Sequence, residues 1–372
     1  MEEFENFVPL IKPSEGFDEL KKLVIGSGLC SSCGACTSFC NRIELNEKGI
    51  PEEVSECTLK NGAIKCSEHG TCYDNCPQVS FSLTEIENQF LVGQNDDDIG
   101  KYLRITGIKS KQPDILEVAQ DGGAVTSLIA YALESKIIDG AIAASRENDW
   151  KATTNVIKDR KSLLASGGTK YSRTPTLKLM SEALKAGNYR LTVVGTGCQT
   201  TAARRFHSRI AGKIPRVDLT LIGLFCFESF PHDELKELVE KEFKIKMEDI
   251  TKTDIKKGKF ILWTKDGKEF DVPVKNFDSA VADSCRLCIN FASRLADISV
   301  GSIGTDDGWS TVVIRSEKGQ SLVEGAEKAG YIETNDKIDL TPIKKNIGLK
   351  RKKRTKSASE RQERSIYVPV HS

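Results

Sequence analysis

Long apolar runs are missing from this sequence. None approaches the roughly 18 residues needed to cross a bilayer, so a membrane-spanning helix is not expected. The opening MEEFENFVPL is acidic and has no basic stretch leading into an apolar one. It does not read as a secretory leader, and a cytoplasmic location is expected. No Gly-x-Gly-x-x-Gly follows a strand-like run, so a Rossmann-type dinucleotide turn is not supported. Net charge is almost absent too, at +1. That balance hides an asymmetry: residues 1–100 carry 18 Asp/Glu against 7 Lys/Arg, whereas the remainder carries 47 Lys/Arg against 35 Asp/Glu. Such polarity bears on steering and partners rather than on fold.

Cysteine, by contrast, is plentiful. Twelve cysteines in a chain of cytosolic character point to metal ligation rather than disulfides. Eight of them lie between Cys30 and Cys76, in a stretch poor in periodic apolar residues, as in a small unit held together by metal. The spacing of Cys30, Cys33, Cys36 and Cys40 is C-x2-C-x2-C-x3-C, that of a [4Fe–4S] ferredoxin loop. Zinc knuckles need paired C-x2-C steps, which this triplet fits badly. A second run, CSEHGTCYDNCP, puts Cys66, Cys72 and Cys76 on the same template but has His69 in the second slot. Imidazole can ligate iron, and so His69 is one way to complete the site. Cys57, nine residues upstream of Cys66, is the other and is expected as the ligand, because thiolate is the commoner choice.

From about residue 116 the texture becomes that of alternating helices and strands. GGAVTSLIAYALE reads as a glycine-opened helix, DGAIAAS, YRLTVVG and DLTLIGLF as strands, and TTAARRFHSRI as a helix. FILWTKDGKEFDVPV carries Asp266-Gly267 between two strand-like arms, a hairpin signal. The expected fold is an α/β core with a mixed sheet and an antiparallel insertion, preceded by a small α+β ferredoxin-like unit. Its divisions are an N-terminal extension (1–24), a two-cluster ferredoxin-like unit (25–83), a connector (84–115), the core (116–343) and a basic, poorly patterned tail (344–372). Cys198 and Cys226 each follow a strand-like run, and carboxyl ends of parallel strands collect at one sheet edge, where ligands bind. Cys285-x2-Cys288 supplies two more thiolates for that edge. Three sites of four thiolates account for all twelve cysteines when Cys57 is a ligand.

The segments DGGAVTSLIAYALESKIIDGAI, GGTKYSRTPTL, GTGCQTTAARRF, IGLFC and SCRLCINFASRLADISVGSIGTDDGWSTVVIR together resemble the family of coenzyme F420 hydrogenase/dehydrogenase beta subunits, in consistent order from about residue 25 to 332. The resemblance implies FAD, [4Fe–4S] clusters and exchange of electrons with the deazaflavin F420 as substrate. It also implies an electron-transfer partner subunit or ferredoxin, with docking on a membrane complex as one arrangement; nucleic acid is not an expected partner. Departures are Gly197, where proline is frequent, FES after Cys226, and His69.

Under that resemblance the flavin contacts fall on Gly122, Gly123, Thr126 and Ser127 at a helix start, Gly168, Lys170, Tyr171 and Ser172 in GGTKYS, Thr196 and Gln199 around Cys198, and Asp306 and Trp309 in GTDDGWS. The anionic tail of F420 calls for a basic mouth, with Lys170, Arg173, Arg204 and Arg205 as candidates. No residue is assigned as catalytic. Two other functions fit the same sequence: a ferredoxin-driven reductase of another substrate, and a non-catalytic electron-transfer subunit.

Overall fold

The apolar runs at 140–146, 190–196 and 218–224 become neighbouring parallel strands because each is buried on both faces, which only a covered parallel sheet provides. The computed structural model describes residues 16–38, 40, 42–55, 70–210 and 214–372. Along the chain, β1 (Ile43–Leu45) and β2 (Pro51–Glu53) form a small antiparallel pair, as do β3 (Gln94–Asp96) and β4 (Gly100–Tyr102). The central sheet uses β5 (Arg104–Ser110), β6 (Gly140–Arg146), β7 (Ala152–Ile157), β8 (Arg190–Thr196), β9 (Asp218–Leu224), β13 (Ile298–Gly301), β14 (Ser310–Ile314) and β15 (Ile332–Asn335). Between β9 and β13 the chain builds a separate three-stranded antiparallel sheet from β10 (Ile250–Lys256), β11 (Lys259–Thr264) and β12 (Glu269–Pro273).

The eight-stranded sheet has the order β15-β5-β14-β13-β9-β8-β6-β7. Its middle strands β13, β9, β8 and β6 are parallel, and both flanks are antiparallel. The core is therefore mixed α/β with an antiparallel insertion, and the hairpin turn expected at Asp266-Gly267 joins β11 to β12. Helices Ala124–Glu134 and Glu317–Lys328 bury Leu128, Ile129, Leu322 and Val323 against one face of the sheet. Helix Gly197–Ile210 packs Ala202, Ala203 and Phe206 with Leu191, Val193, Leu219 and Leu221.

Two segments differ from expectation. Much of the supposed connector is sheet: β5 sits between β14 and β15, with Ile108 fully buried. The supposed basic tail is the longest helix among the described residues, Thr341–Glu363, followed by an extended end that pairs with the N-terminal part. Phe81 N donates to Val370 O at 3.0 Å and Leu83 N to Ser372 O at 2.6 Å. Among the described residues no helix is long and apolar enough to cross a membrane.

Candidate functional site

The first cysteine loop is docked on the core, not tethered to it. Gly34 has φ +81°, and a Cβ there would come within 2.7 Å of Lys178 N and 3.0 Å of Pro175 O. Leu177 N donates to Cys33 O at 3.0 Å, and Ser181 N to Ser38 Oγ at 3.0 Å. Inside the loop, Cys30, Cys33, Cys36 and Cys76 line one apolar cavity. The fourth wall comes from the second run, the placement that the spacing of two-cluster ferredoxins leads one to expect. Burial first, and then neighbouring sulfurs, raise the Cys33 and Cys36 thiols well above their ordinary range, and burial pushes Cys76 up to about 12. Thiolates in such a place need a positive centre to compensate them. Backbone N–H groups already point at the sulfurs: Ser32 N to Cys30 Sγ at 3.4 Å and Gln78 N to Cys76 Sγ at 3.4 Å. Cys40 and Cys72 lie close by in the same cluster of packed residues. Cys57, Cys66 and His69 lie outside the described residues, and the choice between Cys57 and His69 with them.

At the carboxyl edge of β8 and β9, Cys198 and Cys226 meet Cys285 and Cys288. Both Cys198 and Cys226 are raised by burial, and the sulfurs of Cys285 and Cys288 raise them further. Thr196 Oγ1 lies 3.3 Å from Cys198 Sγ, Asn290 N donates to Cys288 Sγ at 3.3 Å, and Ser229 Oγ lies 3.7 Å from Cys285 Sγ. Among the described residues no three Cys, His, Asp or Glu converge tightly enough for a single metal ion. A cubane spreads its ligands over four different irons, so its sulfurs stand farther apart than those around one tetrahedral ion. The two cysteine sites adjoin: Pro77 and Gln78, next to Cys76, line one cavity with Cys198 and Cys288.

A third region gathers the segments expected to contact a flavin. Gly122 abuts Trp309, and a Cβ on it would come within 2.4 Å of Ile108 O and 2.6 Å of Ser310 N. This glycine is thus required by close strand packing. Gly123, at φ +72°, caps the helix carrying Thr126 and Ser127, and Ser127 Oγ donates to Ser110 Oγ at 2.7 Å. Thr169 N donates to Gln120 Oε1 at 3.3 Å, and Gln120 Nε2 to Thr253 O at 3.3 Å. Tyr171 Oη accepts from Ile255 N at 2.8 Å and lies 3.3 Å from Asp254 Oδ1. Lys256 pairs with Asp307 at 2.6 Å, tying the loop that bears Asp306 and Trp309 to β10. The segments 120–127, 167–171 and 304–309 therefore surround β10. Gly168, at φ +74°, accepts from Lys170 Nζ at its carbonyl at 3.0 Å, while burial pulls Lys170 down to about 7. Asp121, not singled out by its sequence, lies near Asp254, and burial and Asp254 raise it to about 6.

Several predicted residues lie elsewhere. Ser172 is buried and holds Ala152 N and Trp150 O at 3.2 Å each. Gln199 donates to Thr174 O at 2.7 Å and accepts from Thr196 N at 2.8 Å, fixing the Cys198 turn. Arg204 is not at a mouth: it is 1% exposed, paired with Asp297 at 2.8 Å and stacked 4.6 Å from the Phe90 ring. Arg205, 5% exposed, donates to Asp74 O at 2.6 Å beside Cys76. Arg173 spans the seam between the two cysteine sites. Of the four basic candidates, only Lys170 lies among the segments around β10, bonded to the Gly167 and Gly168 carbonyls.

Residues 105–181 match the description of the N-terminal part of coenzyme F420 hydrogenase/dehydrogenase beta subunits, and residues 189–339 match that of their C-terminal part. The chain belongs to this family. It is 34% identical to the coenzyme F420 hydrogenase subunit beta of Methanococcus voltae over 73% of this chain and 99% of that protein. It is 32% identical to one of the subunits of the F(420)H(2) dehydrogenase of Methanosarcina mazei, over 88% of this chain and 91% of that one. The coenzyme F420-dependent sulfite reductase of Methanocaldococcus jannaschii aligns with 94% of the chain at 33% identity, but the chain spans only 53% of that longer protein. Among solved structures, the F420-reducing [NiFe] hydrogenase complex from Methanosarcina barkeri contains a chain similar to this one, with TM-score 0.70 and 33% identity over 75% of this chain and 99% of that chain. The eight-stranded mixed sheet is thus a fold shared with that family.

Proposed function

We propose that this chain is an iron–sulfur flavoprotein that exchanges hydride with coenzyme F420 and passes single electrons to a partner protein. The observation that carries this reading is adjacency: Pro77 and Gln78, next to Cys76, line one cavity with Cys198 and Cys288, and Arg173 joins Cys30 O to Ser284 Oγ. FAD supplies the conversion between two-electron hydride chemistry and one-electron transfer, and [4Fe–4S] clusters carry the single electrons. Cys30, Cys33, Cys36 and Cys76 are the proposed ligands of one cluster, and Cys198, Cys226, Cys285 and Cys288 those of another. Cys40, Cys72, Cys66 and Cys57 are proposed for a third.

The chain's own residues would act by binding and orienting. The turn at 120–123 and the 304–309 loop would border the flavin, and Lys170 holds the Gly167 and Gly168 carbonyls beside them. Gln199 fixes the strand-to-helix turn that presents Cys198 toward the sheet edge. Electrons would leave through the N-terminal unit to an acceptor on another polypeptide. The alignment with roughly half of a longer F420-dependent reductase favours a role as the electron-input part of such a system.

Anaerobic purification with flavin, iron and sulfide analysis, followed by oxidation of reduced F420 with a viologen acceptor, tests this function. Flavin with cluster iron and F420-dependent viologen reduction is the expected result. Stoichiometric zinc with little sulfide would overturn the cluster assignment.

A further inference from the structure

The C-terminal helix lies beyond the residues matched by either family description, which end at 339. It nevertheless reaches the core cysteine site. One face carries Ile343, Ile347, Lys350, Arg354 and Arg361, a stripe at steps of four, three, four and seven. Its apolar half packs with Ile99, Phe291 and Val313. Its basic half crosses the cysteine-bearing segments: Arg354 Nη1 donates to Leu287 O at 2.6 Å and Arg361 Nη2 to Ser27 O at 2.9 Å.

Lys350 is the unusual member. It is 2% exposed, and its Nζ donates to Cys226 O at 3.0 Å. Among the described residues no carboxylate lies within ion-pair distance of it, and Glu228, two residues beyond Cys226, is taken by Lys353 at 3.0 Å. A buried ammonium without a counter-anion is strongly disfavoured. The groups that face it are the sulfurs of Cys226, Cys285 and Cys288 and, at 5.9 Å, the Phe227 ring.

We propose that Lys350 is the fixed counter-charge of the core cysteine site and raises the reduction potential of the group held by Cys198, Cys226, Cys285 and Cys288. This rests on the reading that those four residues hold a [4Fe–4S] cluster. One-electron reduction without a proton would leave an extra negative charge on the site, and a buried ammonium held at the Cys226 carbonyl would stabilise that charge. Lys350 acts here as a positioning and tuning residue of the electron path, delivered by a segment beyond the residues that the two family descriptions match.

The test uses the full chain, purified anaerobically, as wild type, Lys350→Met and Lys350→Arg. The readouts are iron content and an EPR-monitored titration with dithionite, in which the core signal is the one lost in Cys285→Ser. Lys350→Met is expected to keep its iron and shift the core signal to lower potential, with the N-terminal signals unmoved, while Lys350→Arg stays near wild type. Loss of core iron in Lys350→Met but not in Lys350→Arg supports the same charge pairing. An unshifted core signal in a fully loaded Lys350→Met overturns the proposal, as does loss of core iron in both variants, which would assign the effect to side-chain shape. A wild-type protein without the core signal fails the underlying cluster reading, and is recognised before any substitution at Lys350.

Discussion

Arg173 donates through Nη1 to the Cys30 carbonyl at 3.2 Å, and its Nη2 reaches Ser284 Oγ at 2.9 Å, one residue before Cys285. One guanidinium thus bridges the two cysteine-bearing segments. Arg173→Met leaves a carbonyl and a hydroxyl without their donor and should cost about 1–3 kcal/mol of stability. Anaerobic urea denaturation measures it, with Arg173→Lys expected to recover only part, since one ammonium replaces a two-armed fork.

Arg204→Ala gives a contrasting outcome. Its partner Asp297 is 3% exposed and would be left as an uncompensated buried carboxylate, so the variant should lose about 3–5 kcal/mol. A folded, stable Arg204→Ala whose sole defect is a higher KM for reduced F420 would restore the substrate-contact role that burial removes. Lys170→Ala, beside the proposed flavin segments, is the variant expected to raise KM more than it lowers kcat.

Cluster content is expected at about twelve iron and twelve acid-labile sulfides per chain, from three cubanes. Cys288→Ser should remove one cluster and leave the N-terminal pair visible by EPR. For the second N-terminal site, Cys57→Ala should lose a cluster and His69→Ala keep it; the reverse pattern would make His69 the ligand.

Asp121 sets a pH dependence. Burial and Asp254 raise its carboxyl to about 6 from an ordinary value of 3.8. A carboxyl raised on folding favours the native state while protonated, so this contribution is whole below the unfolded value and is lost as pH rises through about 6. Asp121→Asn mimics the protonated form. It should therefore be more stable than wild type at pH 7, with the advantage gone near pH 4, as read from urea midpoints at the two pH values. An equal effect at both would refute the assignment.

Much was legible in the linear order. The C-x2-C-x2-C-x3-C loop is local chemistry, and the runs at 140–146, 190–196 and 218–224 are apolar enough to demand burial on both faces, so cysteine sites and central strands declare themselves. Helix Thr341–Glu363 did not, because its buried stripe changes from isoleucine to lysine and arginine and no apolar periodicity marks it. Arg204 and Arg205 read as surface charge because Asp297 and Asp74, which hold them inside, lie far away in sequence. The sequence by itself determined the cysteine spacing and the strand-forming segments, since both depend on neighbours a few residues apart. Only the tertiary structure decided that Arg173 joins the Cys30 and Cys285 segments and that Lys350 meets Cys226, because those contacts join distant segments through packing and buried charge that no local pattern records.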